Sequence, residues 1–256
     1  MTDRLRTIGR ALRSGTAFLT RLPVGTQAGD WEAFVSRPAV FPLVGYLVGG
    51  LAALPLLAAG TLPASTVALG YLLAIGFLTG IHHLDGVADL GDAAVVHGDP
   101  DRRREVLKDT TTGVGALFAV TVVVAGLALA GLGLAALPVG VAVAVAVAAE
   151  VGAKLGMALL ACLGTASHEG FGSQVTGALG SSSVVSPVAI ALPVGLFSWP
   201  YPVAAVALGG ALAGACLPWW WARRNLGGVS GDVFGAANEI GRVVGLHVGV
   251  IAWTLS

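Results

Sequence analysis

The sequence predicts an all-α, polytopic integral membrane protein with about six or seven transmembrane helices and an N-terminal interfacial amphipathic helix. Of its 256 residues, 55% are hydrophobic and only 11% are charged, whereas soluble domains carry about a quarter charged residues. Apolar runs near the roughly 20 residues needed to cross the hydrocarbon recur along the chain. These runs lack a two-residue alternation, which argues against a barrel. The 38 glycines predict closely packed helices.

The first 37 residues precede the first apolar run. Three apolar residues at helical spacing, Leu5, Ile8 and Leu12, alternate there with Arg4, Arg6, Arg10 and Arg13. This pattern is typical of a helix on an anionic membrane surface. The segment has neither an uninterrupted apolar core nor a clear cleavage site, so we expect no secretory signal peptide. We therefore expect a cytoplasmic or interfacial segment over 1–37, within a single membrane-embedded domain of residues 1–256.

The apolar runs place the membrane spans. We expect them at residues 38–60, 65–82, 113–136, 138–163, 184–198, 201–221 and 233–254. The fifth is short and contains Pro187 and Pro193, so it is either kinked or joined to the sixth as one broken hairpin. Three tryptophans that follow Pro218 predict an aromatic belt at the membrane interface. The two cysteines lack zinc-type spacing and are expected to be packing residues.

The basic residues predict the orientation of the chain. All but one of the 14 Lys and Arg residues lie in the N-terminal segment, in the loop after the second span, or around Arg223, Arg224 and Arg242. By the positive-inside rule this side of the membrane is the cytoplasm. The exception is Lys154, which follows Glu150 by one turn inside the fourth span. An intramembrane pair at this spacing is either a structural clasp or part of a site.

The segment "HHLDGVADLGD" directly follows an apolar run and carries the first group of acids. If it is helical, Asp85, Asp89 and Asp92 fall within a stripe of about 60°, with His82 near the stripe and His83 on the far side. Aligned carboxylates at a membrane edge need neutralising cations, and oxygen ligands of this kind suit Mg²⁺. The alternative is a solvated loop whose aspartates only cap helices.

Downstream, "REVLKDTTTGVG" combines cations with a candidate anion site. Lys108, preceded by Arg102, Arg103 and Arg104, supplies positive charge for a phosphate, although basic residues also serve topology alone. Asp109 adds another acid. The threonine hydroxyls and glycine-exposed amides at the start of the third span form a natural anion cradle.

A second acidic segment, "GDVFGAANEIGR", opens the last span. Asp232, Gly235 and Glu239 share one helical face, and Glu239 lies well inside an apolar helix. Asn238 beside it can hydrogen-bond a substrate or a metal-bound water. Two weaker candidates for substrate contact are His168 and Glu169.

These motifs occur together in one known family. "FLTRLPVG", "FPLVGYLVGG", "HLDGVADLGD", "REVLKDTTTGVG" and "GDVFGAANEIGR" stand in the order seen in the cobalamin-5'-phosphate synthase family, also called adenosylcobinamide-GDP ribazoletransferase. The resemblance extends from about Phe18 to Arg242. It implies a Mg²⁺-dependent membrane enzyme that joins adenosylcobinamide-GDP to α-ribazole or its 5'-phosphate, giving adenosylcobalamin or its 5'-phosphate and releasing GMP. The partners it implies are these substrates and the lipid bilayer, with no nucleic acid.

The resemblance also implies roles for particular residues. His83, Asp85, Asp89 and Asp92 match the family's acidic motif, Lys108, Asp109 and Gly113 its second motif, and Asp232, Asn238 and Glu239 its third. The implied catalytic residues are Asp85, Asp89, Asp92 and Glu239. The implied metal ligands are Asp85, Asp89, Asp92 and Asp232. The implied substrate-binding residues are His83, Lys108, Asp109, Gly113 and Asn238. The chain departs from the family at Ala93, where many relatives have glycine, and in the threonines after Asp109.

Two other functions compete with this one. CDP-alcohol phosphatidyltransferases also have Asp-Gly-x-x-Ala followed by further aspartates, but they prefer arginine where this chain has Asp89. A cation-coupled transporter needs acids near the bilayer midplane, and only Glu150 and Lys154 fit that requirement well.

Overall fold

The computed structural model describes residues 2–97, 99–109 and 111–256, with the side chains of Thr2, Asp3 and Arg4 left out. Within these residues the chain is α-helical, with short 3₁₀ turns and no β-strand, as the composition predicts. The helices are α1 (Thr2–Leu19), α2 (Asp30–Val35), α3 (Val40–Ala52), α4 (Ala64–Thr79), α5 (His82–Val95), α6 (Pro100–Val106), α7 (Val114–Ala135), α8 (Val139–Leu163), α9 (Phe171–Gly177), α10 (Val185–Ala191), α11 (Val203–Asn225) and α12 (Gly231–Thr254).

Four stretches of the described chain are long and apolar enough to cross a membrane: Val40–Ala58, which is α3 with the 3₁₀ turn after it, and the helices α7, α8 and α11. Two bent pairs of helices raise the number to six if each pair is one span. The predicted span 233–254 is α12, which is not among them because Asn238, Glu239 and Arg242 interrupt its apolar sequence. The protein is thus a polytopic helical membrane protein with four to six such spans.

Both bent pairs depart from the predicted span boundaries. The span expected at 65–82 ends as a helix at Thr79, and α5 continues from His82 at 93° to α4. Gly80 lies between them with φ +68°, a conformation that glycine adopts at low cost. The span expected at 184–198 is α10 between 3₁₀ turns (Ser181–Val184 and Leu192–Leu196), bent by 94° from α9.

The core is built around α8. Of the residues in its apolar, membrane-length stretch, 89% are buried inside the protein. Glycines permit its neighbours to approach at backbone distance. A Cβ on Gly49 of α3 would lie 2.8 Å from the Cα of Val147, and one on Gly152 of α8 would lie 2.7 Å from the Cβ of Ala211 on α11. The close packing expected from the glycine content is therefore present, as is usual where membrane helices meet through small residues.

The start of α12 packs directly against α5. A Cβ on Gly86 would lie 2.5 Å from the carbonyl oxygen of Asp232, and one on Gly235 would lie 3.1 Å from the Cα of His83. These two glycines remove the side-chain layer that normally separates helices. Two acidic segments far apart in the sequence consequently meet at one end of the protein.

The N-terminal helix is amphipathic as predicted, with Leu5 62% and Ile8 44% exposed. One of its arginines does not face outward. Arg13 binds Asp30 of α2 through two hydrogen bonds, Nε to Oδ2 at 2.7 Å and Nη2 to Oδ1 at 2.8 Å. The hydrogen bonding from Arg13 lowers the pKa of the Asp30 carboxyl below its ordinary value. Contact of α1 with a membrane surface stays a prediction.

The three consecutive tryptophans near the end of α11 differ in their exposure. Trp220 is 55% exposed and lies under the guanidinium of Arg224, 4.3 Å from the ring centroid, whereas Trp219 and Trp221 pack against the core. Only Trp220 therefore has the exposure expected of a residue in an aromatic belt.

Replacing Gly49 by alanine should destabilise the protein. The new Cβ would meet the backbone of α8, which cannot move aside, so we expect a loss of about 1–3 kcal/mol. Gly50 is the matched control, because a Cβ there would meet nothing within 4 Å. Thermal melting in detergent should show a lower Tm for Gly49→Ala and an unchanged or higher Tm for Gly50→Ala. Equal melting of the two variants would contradict this account of α3–α8 packing.

Candidate active site

Three aspartates line one cavity, as the helical stripe predicted. Because α5 is helical from His82 to Val95, Asp85, Asp89 and Asp92 point to the same side and border a cavity of about 330 Å³. The opposite wall comes from the segment between α6 and α7. That segment contributes Leu107, Lys108, Asp109, Thr111 and Thr112. The first two motifs therefore form a single site.

Two of the three carboxylates have free oxygen atoms. Asp85 is exposed and Asp89 half-buried, and neither side chain accepts a hydrogen bond from the described residues. The backbone of Asp232 lies against Gly86, the residue after Asp85, which brings the third motif next to the cavity. One oxygen of Asp232 accepts a hydrogen bond from the Ser230 hydroxyl at 3.1 Å. Carboxylates without protein donors remain available for a cation.

The third carboxylate has a structural partner. Asp92 accepts hydrogen bonds from the amides of Gly113 at 2.7 Å and Ala116 at 2.9 Å, which are free donors at the start of α7. A Cβ at Gly113 would lie 2.5 Å from Oδ1 of Asp92, so a larger residue there would displace the carboxylate from these amides. At least two amides of the predicted anion cradle therefore bind a carboxylate of the protein itself, which attaches α5 to α7.

The rest of the cradle segment faces the cavity. The amide of Thr111 donates to Oδ1 of Asp109 at 3.0 Å, and this hydrogen bond lowers the pKa of the Asp109 carboxyl. Asp109 is thus held as an anion beside Lys108. The first of the three predicted threonines, Thr110, lies outside the described residues.

The arginines of α6 are used locally rather than in the cavity. Arg102 pairs with Glu105 at 2.9 Å, and Arg104 pairs with Asp101. Arg104 also donates to the carbonyl oxygen of Leu226 at 2.9 Å, which ties α6 to the loop before α12. Lys108 is the basic residue of this group that borders the cavity.

Arg242 is the main residue that the sequence analysis misplaced. We grouped it with the cytoplasmic basic residues, yet its side chain is fully buried and binds two carboxylates, those of Glu150 on α8 and Glu239 one turn earlier on α12. The expected pairing of Glu150 with Lys154 is replaced by this arrangement. The spacing of Glu239 and Arg242, three residues apart on one helix, was the available signal.

Lys154 and His83 extend this buried network. Lys154 donates to Oδ1 of Asn238 at 2.6 Å, and Asn238 Nδ2 donates to Glu239 Oε1 at 3.0 Å. Nδ1 of His83 lies 3.1 Å from Asn238 Nδ2 and 3.6 Å from Glu239 Oε1. Asn238 and Glu239 are therefore bound inside the helix core and are not among the residues that line the acidic cavity. Their substrate-binding and catalytic roles, which the resemblance implies, stay predictions. Their neighbour at the surface is His83.

Both histidines of α5 face a second cavity. This space, of about 430 Å³, is bordered by His82, His83 and aromatic side chains of α1, α9 and α12. His82 was expected near the aspartate stripe but lies on this other side. Two weaker candidates, His168 and Glu169, are exposed.

The donor set of the acidic cavity fits Mg²⁺ only as an open site. The described residues contain no group of three or more His, Cys, Asp or Glu side chains placed to hold a metal ion. However, Mg²⁺ typically uses one or two carboxylates, several waters and substrate phosphates. Asp85 and Asp89, one turn apart with free oxygens, match that requirement.

Replacing Asp92 by asparagine should loosen the junction of α5 and α7. The amide side chain has one acceptor oxygen instead of two, so one backbone donor loses its partner at a cost of about 1–3 kcal/mol. Thermal melting should show a lower Tm for Asp92→Asn. Asp89→Asn is the matched control on the same face, and its Tm should equal or exceed that of the wild type, because the change removes an unpartnered charge and no protein hydrogen bond. A lower Tm for Asp89→Asn alone would reverse these assignments.

Replacing Arg242 by methionine should destabilise the protein more strongly. Two buried carboxylates would lose their shared cation, which typically costs about 3–5 kcal/mol. A triple variant, Arg242→Met with Glu150→Gln and Glu239→Gln, should recover part of this loss because it removes the uncompensated charges. Thermal melting in detergent measures the stability of the single variant and of the triple variant. A triple variant less stable than the single one would show that the network is not primarily electrostatic.

Comparison with known proteins identifies the family. A family model described as cobalamin-5-phosphate synthase matches residues 11–250. An adenosylcobinamide-GDP ribazoletransferase of Halorubrum lacusprofundi is 52% identical over 95% of this chain and 98% of its own length. A protein of the same name from Halobacterium salinarum is 58% identical over 77% of this chain and 99% of its length.

The similarity extends to relatives of lower sequence identity. A protein of that name from Haloquadratum walsbyi is 43% identical over 96% of this chain and 98% of its length. No solved structure matches the chain. The family match spans the acidic cavity, the buried network and the helices that carry them, so this chain belongs to the cobalamin-5-phosphate synthase family.

Proposed function

We propose that this protein transfers the adenosylcobinamide phosphate group of adenosylcobinamide-GDP to α-ribazole or its 5'-phosphate, releasing GMP, at the end of cobalamin biosynthesis. The observation that carries the proposal is the pair of free carboxylates, Asp85 and Asp89, in one cavity with Lys108. The names of the relatives supply the substrate class. A diphosphate is the part of these substrates that such a cavity can bind through a shared cation.

The reaction is a displacement at phosphorus. The ribose hydroxyl oxygen of the acceptor forms a bond to the phosphorus next to cobinamide, and the bond from that phosphorus to the bridging oxygen breaks. GMP leaves with the bridging oxygen, and the hydroxyl proton passes to a carboxylate of the cavity. Lys108 places positive charge beside the phosphates. Mg²⁺ held by Asp85 and Asp89 would supply neutralisation of the charge that develops on the phosphates.

The other polar residues hold this arrangement in place. Asp92 fixes the distance between α5 and the segment that carries Lys108 and Asp109 through its two amide hydrogen bonds. The contact of Gly86 with Asp232 brings the third acidic segment alongside. Catalysis by positioning requires reacting groups that are held to within a fraction of an ångström.

We place the site on the cytoplasmic side of the cell membrane. The basic helix α6 follows the acidic cavity in the chain, and Arg104 ties α6 to the loop that follows Arg223 and Arg224. The positive-inside rule assigns such an end to the cytoplasm. Labelling of a cysteine introduced at the exposed Asp101, in a variant with Cys162 and Cys216 replaced by serine, tests this orientation. A membrane-impermeant reagent should label it in opened cells and not in intact cells.

Purified protein in detergent with Mg²⁺, adenosylcobinamide-GDP and α-ribazole should release GMP. Asp85→Asn and Asp89→Asn should each lower kcat by at least about 100-fold, because each removes a charge from the diphosphate site. Asp101→Asn on α6 is the matched control, since Asp101 is exposed and lies outside the cavity. A chelator should stop the reaction, and added Mg²⁺ should restore it.

Three results would count against the proposal. They are wild-type activity that persists in the chelator, full activity of Asp89→Asn, and release of CMP from a CDP-activated lipid in place of GMP. The last would assign the protein to the phosphatidyltransferase chemistry.

A further inference from the structure

We propose that the second cavity, lined by Phe18, Phe171, Phe234, His82 and His83, binds the planar nitrogen heterocycle of the acceptor nucleoside. We call it the aromatic cavity. The inference rests on the proposed function, since it assigns the acceptor a subsite separate from the diphosphate site. Its volume of about 430 Å³ lies within the range of small-molecule sites.

The aromatic rings of this cavity form a packed cluster that also includes Trp31, whose ring centroid lies 5.2 Å from that of Phe18. Phe18 and Phe171 stack with centroids 4.9 Å apart and planes 24° apart, and Phe234 meets the edge of Phe171 at 5.2 Å. Phe18 is 44% exposed at the border of the cavity, whereas Phe34 and Phe41 close by are fully buried. Phe18, the half-exposed member of the stacked pair, can accept a further planar ring on the side away from Phe171.

The polar groups of the aromatic cavity are ring nitrogens in a defined orientation. The Nδ1 atom of His83 lies 3.1 Å from Asn238, so the buried network fixes the imidazole. His82 is exposed at the same border. The Nε2 atom of His83 and the ring nitrogens of His82 can donate to or accept from the nitrogens of a heterocycle, whereas a lipid acyl chain offers them no hydrogen-bond partner. The chemistry of this lining therefore favours a nitrogen-containing ring over a hydrocarbon chain.

The position of the aromatic cavity matches a two-substrate reaction. His83 and Asp85 are two residues apart on α5, and they line the aromatic and the acidic cavity respectively. Gly235, which also borders the aromatic cavity, lies against the His83 backbone. The base of one substrate and the phosphates of the other are thereby held by neighbouring residues of one helix.

The first test measures binding without turnover. Benzimidazole is titrated by calorimetry into detergent-purified wild type and Phe18→Leu, a variant that keeps apolar volume but loses the aromatic face. We expect Kd to rise about tenfold in Phe18→Leu, the effect of losing one stacked ring. Phe118→Leu on α7 is the matched control, because Phe118 is 72% exposed outside the cavity, and its Kd should equal the wild-type value.

The second test separates the two substrates. Phe18→Leu should raise KM for α-ribazole about tenfold and leave KM for adenosylcobinamide-GDP unchanged, with a wild-type melting temperature. Equal Kd values for wild type and Phe18→Leu, or equal rises in both KM values, would overturn the aromatic subsite while leaving the transferase proposal intact. Benzimidazole binding that weakens in Phe18→Leu, together with no GMP release by the wild type, would instead refute the proposed function and leave the subsite standing.

Discussion

The backbone contact between α5 and α12 is the constraint on which the rest of the site depends. Gly86 and Gly235 allow the two helices to meet without intervening side chains. Any larger residue at either position would push Asp232 and the network of Glu239 away from the helix that carries Asp85 and Asp89. The local sequence Asp-Gly is therefore as much a packing requirement as an acidic motif.

Two kinds of carboxylate lie close together here. Glu150 and Glu239 are buried and share the guanidinium of Arg242, so their charges are compensated within the protein. Asp85 and Asp89 lack such donors among the described residues. A charge without a protein partner in a partly dehydrated place is costly unless something else neutralises it. This contrast, rather than the number of acids, separates the candidate site from its structural support.

The sequence predicted the helical class and the stripe on α5, and the family resemblance implied that Asp232 acts together with the aspartates of α5. The first two follow from local regularities, namely apolar length and a 100° rotation per residue. The sequence did not predict the bend at Gly80, because an apolar run carries no signal of direction.

The sequence analysis also missed the burial of Arg242, because the positive-inside rule places arginines at the aqueous surface of the membrane. Its compensation requires Glu150, which is 92 residues away in the chain. Asp92 was identified as one of three aligned acids on α5. That it holds the start of α7 through two amide hydrogen bonds depends on a tertiary contact, which residue spacing does not encode.

The right-angled bend between α4 and α5 has a consequence for solvation. If α4 lies along the bilayer normal, the 93° bend puts α5 parallel to the surface, and the acids along its face share one depth. An upright helix would spread the eight residues from Asp85 to Asp92 over about 10 Å, from bulk water toward hydrocarbon. In the bent arrangement they would meet one dielectric environment together, and an extended polar solute would reach all of them from the aqueous phase without entering the lipid.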